Sequence, residues 1–243
     1  MSQPFFDAKS YWENRLSRHS DLKGVGHVAY GNVYNYWLYR RKKACVQSFF
    51  HGRSLQGKDV LDIGSGTGFF IEWYLRQGAS VYGIDISEAS IQRLSQKLSG
   101  DFAVVDISDE NYCPPRQFDV INAWDVIYHV VDDTAFYRSL ENMAKSCQAG
   151  GVLLLTDWLG ASSDHRIAPH AKVRCLATYL APLSNLGFKF TGLEPFCYFL
   201  MKRRIPYLDN LLAPVYFWLD NHVKRIPGDN FCLGVWQRRE VGP

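Results

Sequence analysis

Val60-Leu61-Asp62-Ile63-Gly64-Ser65-Gly66-Thr67-Gly68-Phe69-Phe70 joins an apolar strand pattern to three alternating glycines and then to a segment that reads as helix. Strand, glycine turn and helix in that order make a ligand site. Backbone without Cβ atoms lets a ligand come close, and the free N–H groups at the helix start face it. A second apolar run, Val81-Tyr82-Gly83-Ile84-Asp85-Ile86, brings an acid 21 positions beyond Gly64. An acid at about 20 positions past such a turn is placed to accept ribose hydroxyls. A dinucleotide fingerprint needs its third glycine at position 69, and this chain has Phe69 there. A nicotinamide cofactor is therefore disfavoured.

Outward from this stretch, Phe69, Phe70, Trp73 and Tyr74 give the first helix an aromatic core face. Ser87 is an N-cap for a second helix with Ile91, Leu94 and Leu98 facing inward, and a short strand is expected at Phe102–Val105. Pro114 and Pro115 mark a loop before a fourth strand, Phe118–Ala123. Asp132-Asp133 opens a helix through Met143, acids being favoured in a first turn. Val152–Asp157 is a fifth strand. A helix is then expected from Pro169 to about Leu186, with Leu176, Leu180 and Leu183 in register, followed by strands Phe188–Leu193 and Phe231–Trp236. Upstream, residues 8–20 read as an amphipathic helix with Tyr11, Trp12, Arg15 and Leu16 near one face. A longer helix reads from about His27 to His51, carrying the run Arg40-Arg41-Lys42-Lys43.

The 243 residues, 47% of them apolar, suit one α/β domain with an appended element. The N-terminal stretch lacks a signal-peptide pattern and the longest apolar run, Leu211 to Leu219, is too short for a bilayer, so a soluble, cytoplasmic protein is expected. Six cysteines are scattered with no metal-ligand spacing; reduced, mostly buried thiols are expected. Charge is uneven: residues 1–58 carry +7, residues 59–160 carry −9 and residues 161–243 carry +5. An acidic middle favours a cationic ligand, while basic flanks suit an anionic partner or are solvated helix surface.

Asp62-Ile63-Gly64-Ser65-Gly66-Thr67-Gly68 with Gly83-Ile84-Asp85-Ile86 behind it resembles class I S-adenosylmethionine-dependent methyltransferases, small-molecule type. Val104-Val105-Asp106-Ile107, the run from Phe118 to Asp125 and the run from Ala149 to Leu155 extend the resemblance over roughly 58 to 158. It implies a Rossmann-like seven-stranded sheet with helices on both faces and its last pair antiparallel. Residues 1–57 become an N-terminal helical lid and residues 58–243 the cofactor-binding domain, with an insertion at about 195–228. The cofactor implied is S-adenosyl-L-methionine, held by Asp62, Gly64, Ser65, Gly66, Gly68, Asp85, Ile86, Asp106, Ile107, Ala123 and Trp124. Asp106 and Ile107 would flank the adenine.

Methyl transfer from a sulfonium is an in-line displacement in which the protein aligns a nucleophile and excludes water. O-methylation of a metabolite, sugar or phosphate-bearing intermediate is the preferred reading, with His129 as general base and Tyr128 and Asp125 orienting the acceptor. An ordinary imidazole pKa of about 6.5 suits that base and predicts a rate that falls on acidification. Arg40, Arg41, Arg174, Lys202, Arg203 and Arg204 admit an anionic acceptor. No metal is expected; Asp132 and Asp133 read as a helix cap. RNA or protein methylation is the alternative, disfavoured for want of a nucleic-acid recognition signature; a non-catalytic binding subunit is the third reading. The insertion, apolar and aromatic around a basic stretch, suits a substrate cover, a homodimer interface or peripheral contact with a membrane.

Overall fold

The apolar run before the glycine turn becomes the middle of a seven-stranded sheet. The computed structural model describes residues 6–201, 205–223 and 231–240. Three helices come first, α1 (Ala8–Arg18), α2 (Leu22–Val25) and α3 (Asn32–Phe49). Then β1 (Asp59–Ile63), α4 (Phe69–Arg76), β2 (Ser80–Asp85), α5 (Glu88–Lys97), β3 (Asp101–Val104) and β4 (Phe118–Ala123) alternate. A 3₁₀ turn at Ile127–His129 leads to α6 (Asp133–Ser146) and β5 (Cys147–Asp157). The hairpin β6 (His165–Ala168) and β7 (Ala171–Val173) precedes α7 (Leu176–Asn185) and β8 (Phe188–Cys197). A second 3₁₀ turn (Phe199–Met201), α8 (Pro206–His222) and β9 (Phe231–Arg238) complete the described elements.

The sheet order is β3-β2-β1-β4-β5-β9-β8. β3 to β5 are parallel, while β9 is antiparallel to both β5 and β8. Alternation along each strand feeds two cores. Val60, Val152 and Leu154 join α3 and α4 side chains on one face, whereas Leu61, Leu153 and Leu155 join α6 and α7 on the other. Helices therefore cover both faces. The order reverses between β1 and β4, and in open α/β sheets ligands bind beyond the carboxyl ends of strands at such a point.

Several sequence expectations shift. The helix expected from Pro169 begins only at Leu176, because 165–173 alternates as a hairpin and the Asp164 carboxylate accepts from the Cys175 N–H (2.8 Å) and the Thr178 hydroxyl at the helix start. Leu180 is 39% exposed, while Leu183 faces inward as expected and is joined there by Tyr179. The long N-terminal helix starts at Asn32 rather than His27. The Asn35 side chain binds both the N–H and the carbonyl of His27 and closes that loop. Tyr34, Leu38, Tyr39, Cys45 and Val46 make α3 part of the core. The late insertion packs on α3: Trp37 meets Phe217 (5.0 Å between centroids), Asn210 accepts from the Tyr34 N–H, and Arg41 donates to the Phe196 carbonyl. Its last stretch, 224–228, lies outside the described residues. Five cysteines are buried and Cys113 is exposed, and none of the six forms a disulfide.

Candidate active site

The turn after β1 is built on glycines in the left-handed region. Gly64 (φ 69°) and Gly66 (φ 52°) lie in the left-handed region, and a Cβ would stand 2.2 Å from Val126 Cγ2 at the first and 2.4 Å from Val25 Cγ1 at the second. The Gly64 and Ser65 N–H groups bind the Ile84 carbonyl and tie the turn to β2. Gly68 packs instead toward Leu94 and does not line the cavity that opens above this turn.

That cavity, about 590 Å³, runs from the ends of β1 to β4 up to α1, α2 and α3. Six aspartates line it, Asp7, Asp62, Asp85, Asp106, Asp125 and Asp132, against the cations Lys9 and Arg166. Asp62 accepts from Asn122 Nδ2 (2.6 Å), and burial pushes its carboxyl up to about 7. Asp85 accepts from the Gly66 and Ser87 N–H groups, one on each oxygen, and burial raises its pKa as well. Each carboxylate oxygen has about two lone pairs, so both oxygens keep one for a ligand. Ile86, Ile107 and Trp124 give apolar walls, Trp124 stacking on Phe70 at 5.0 Å. Asp106 sits at the mouth with one oxygen engaged by Ser108. Ala123 is fully buried one residue behind the lining.

The far end of the same cavity is assembled from distant parts of the chain. Glu13 of α1 accepts from the Ser87 hydroxyl (2.7 Å) and the Ala89 N–H, and Arg93 donates to the Leu16 carbonyl, so α1 is clamped along α5. Trp12 then meets the His129 ring edge-on at 4.8 Å. His129 Nδ1 donates to the His170 carbonyl (2.7 Å), which leaves Nε2 unprotonated as an acceptor. Burial drives the His129 pKa down to about 3, with the carbonyl bond working against it. The rate loss expected near an ordinary histidine pKa is thereby corrected: this ring is neutral through the whole physiological range. Asp125 takes a left-handed backbone (φ 59°), its N–H donates to Thr156 Oγ1 (2.8 Å), and its carboxylate is ion-paired with Lys42. Burial disfavours the Lys42 ammonium, but the negative Asp125 and the adjacent Tyr39 outweigh that and hold it charged.

Tyr128 lies behind the cavity wall, its ring 4.2 Å from that of His129. The Tyr128 ring packs on Trp158 and Phe231 and does not line the cavity. The expected anion-binding arginines are also placed away from it. Arg40 lies over aromatic rings of α3 and α8, Arg41 is bonded to Phe196, and Arg174 is buried over Phe136 with Asp133. Lys202, Arg203 and Arg204 lie outside the described residues. Asp132 caps α6 through the Ala135 N–H, and Asp133 pairs with Lys172 and Arg174. Sequence reading missed Lys42. It stands four residues after Leu38 and seven after Asn35, so the helical period already placed it on the buried face.

The model of a family described as "Methyltransferase domain" matches residues 34–184, more than half of the chain and the whole glycine-turn region. The chain belongs to the methyltransferase-domain family. Among curated proteins it is 36% identical over 107 residues to the ubiquinone biosynthesis O-methyltransferase of Pseudomonas aeruginosa (strain LESB58), covering 42% of this chain and 45% of that protein. It is 35% identical over 98 residues to the protein of that name from Neisseria meningitidis serogroup C (strain 053442), covering 37% and 41%. The chain thus spans under half the length of these relatives. Its fold matches the magnesium protoporphyrin IX methyltransferase ChlM of Synechocystis PCC 6803, solved with bound SAM (TM-score 0.63, 16% identity, 98% and 100% covered). It also matches the N-methyltransferase NodS of Bradyrhizobium japonicum WM9, solved with S-adenosyl-L-homocysteine (TM-score 0.62, 16% identity, 96% and 100% covered).

Proposed function

We propose that this member of the methyltransferase-domain family moves a methyl group from S-adenosyl-L-methionine to an oxygen of a small-molecule acceptor. The observation that carries the reading is one cavity with two unlike ends, a glycine turn with two buried acids at one and a neutral, acceptor-ready imidazole at the other. The residues fit the cofactor. Asp85 keeps lone pairs free for ribose hydroxyls, Asp62 is a buried carboxyl that a cation would stabilise, and the cradle over Gly64 and Gly66 leaves backbone bare. Ile86, Ile107 and Trp124 would hold the base, with Asp106 at its edge. The curated relatives named for O-methylation support an oxygen acceptor.

When bound, S-adenosyl-L-methionine supplies a methyl group activated by sulfonium charge. The protein's part is alignment, exclusion of water and proton transfer. Trp12 and Phe6 would cover the reacting end. Asp125, held by Lys42 and Thr156, would orient the acceptor, and His129 Nε2 would take its hydroxyl proton. A pKa of about 3 makes this ring ready at every working pH but weak as a base, so the proton leaves as the new O–C bond forms, not before.

The test is incubation with methyl-labelled S-adenosylmethionine and a panel of phenols, sugars and other hydroxylated metabolites, beside calorimetry with S-adenosylhomocysteine. Label on an acceptor oxygen together with S-adenosylhomocysteine binding is expected. Absence of both contradicts the proposal.

A further inference from the structure

α1 borders the cavity without belonging to the cores beneath it. None of its side chains joins the two apolar clusters that hold the sheet and its helices together, and Leu16, its one buried residue, lines the cavity with Lys9 and Trp12. Polar side chains hold it in place instead. Glu13 accepts from the Ser87 hydroxyl (2.7 Å) and the Ala89 N–H (3.2 Å), Arg93 donates to the Leu16 carbonyl (2.8 Å), and Lys9 pairs with Glu88 at the surface. The end of α1 nearest α2 is tethered separately: Arg15 donates to the Lys23 and Gly26 carbonyls, while the Tyr39 hydroxyl donates to the Val25 carbonyl (3.0 Å) and fixes α2 on α3. An element outside the core, held by a few such bonds, opens at small cost, and active-site covers are drawn from elements of this kind.

Ser87 joins the Glu13 contact to Asp85. Its N–H donates to Asp85 Oδ1 (2.9 Å) and its hydroxyl donates to Glu13 Oε2, and the residue is fully buried. The same hydroxyl accepts from the Ser90 N–H (3.2 Å), so its single proton has Glu13 as its partner. Glu13 thus stands at the first turn of α5, where free N–H groups and the helix dipole favour a carboxylate. Partial burial works to raise its pKa, but the bonds from Ser87 and the Ala89 N–H outweigh it and lower the value, so the ionised form makes the contact. The Glu13 and Asp85 charges repel across Ser87. A ligand that donates hydrogen bonds to Asp85 spreads that charge and favours the Glu13 contact, and by linkage the contact favours the ligand equally.

Resting on the cofactor reading above, we propose that Glu13 is a positioning residue: it fastens α1 as a strap over the bound cofactor, and its release from Ser87 and Ala89 gates cofactor entry and product departure. The strap swings about the Arg15 tether. Trp12 neighbours Glu13 in α1 and meets the His129 ring at 4.8 Å, so fastening the strap also completes the cover over the reacting end. Glu13 touches neither end of the transfer itself and acts through the placement of α1.

The experiment joins hydrogen exchange of residues 8–18, with and without S-adenosylhomocysteine, to stopped-flow release of that ligand, for the native chain, Glu13→Ala and Glu13→Gln. Unchanged exchange in β1, β4 and β5 confirms that each variant keeps its fold. In the native chain the ligand should slow exchange in 8–18. Glu13→Ala loses two charge-assisted bonds, so ligand-dependent protection of 8–18 should vanish and release should quicken by about tenfold or more. Glu13→Gln keeps an acceptor without the charge and should fall between the two. Protection of 8–18 that ignores the ligand, or release from Glu13→Ala at the native rate, overturns the strap while leaving the cofactor reading intact. A native chain that does not bind S-adenosylhomocysteine overturns both.

Discussion

The two ends of the cavity are built differently. At the glycine end, Asp62, Gly64, Gly66 and Asp85 come from two adjacent strands and the turns that follow them, so main-chain hydrogen bonds fix their positions. At the far end, Trp12, Lys42, the Asp125–His129 segment and His170 come from four separate parts of the chain and meet through side chains and the His170 carbonyl. The first end is a property of the sheet, and the second depends on how helices and a hairpin pack over it. Changes at the glycine end should therefore act on cofactor affinity and changes at the far end on turnover.

Effects on S-adenosylhomocysteine affinity should descend in that order. Gly66→Val places a branched side chain at φ 52° against Val25, so calorimetry should detect no binding while circular dichroism stays largely intact. Survival of binding would make the turn purely structural. Asp85→Ala removes two charge-assisted acceptors worth about 1.5–3 kcal/mol each, or about a hundredfold or more in affinity. It also frees the Gly66 and Ser87 N–H groups, so an unchanged dissociation constant in a folded variant would remove Asp85 from the site.

Asp62 gives a pH test. Its folded pKa of about 7 lies above the ordinary carboxyl value, so the unliganded fold binds a proton that the unfolded chain has released, and stability falls as pH rises from about 4 to 7. A cationic ligand selects the carboxylate. Affinity should climb by up to about tenfold per pH unit below 7 and level off above it, and Asp62→Asn should flatten the curve. A native profile that is already flat breaks the assignment. Lys42→Met should leave affinity within a few fold, yet it strands a partly buried Asp125 and should cost about 3 kcal/mol in urea unfolding. A loss below about 1 kcal/mol, the level of a surface pair, would mean that the pair is effectively solvated.

The same contrast explains what the sequence disclosed. Val60–Ile63, Asp85, the Ser87 cap and Phe118–Ala123 are local patterns, and each stands where periodicity and capping put it. The helix expected from Pro169 to about Leu186 overlaps the hairpin at 169–173, and the Asp164 contacts at the α7 start fix its beginning at Leu176 while the Tyr179–Asp157 bond turns Tyr179 inward. His129 was legible as a residue beside the strand end, but its pKa was not. That value depends on burial under Trp12 and on the His170 carbonyl, contacts from segments more than 40 positions away. Tyr128, expected to orient the acceptor, touches the His129 ring but packs on Trp158 and Phe231 behind the cavity lining.

The division of labour between the two ends is tested most directly by His129→Ala, measured for both S-adenosylhomocysteine affinity and kcat. Affinity should stay unchanged within a few fold and kcat should fall by about 10²–10⁴, the range of a general base. The native kcat should stay level across the neutral range because the ring is already neutral there. A variant that keeps most of its kcat, or loses affinity and turnover in equal measure, would contradict it.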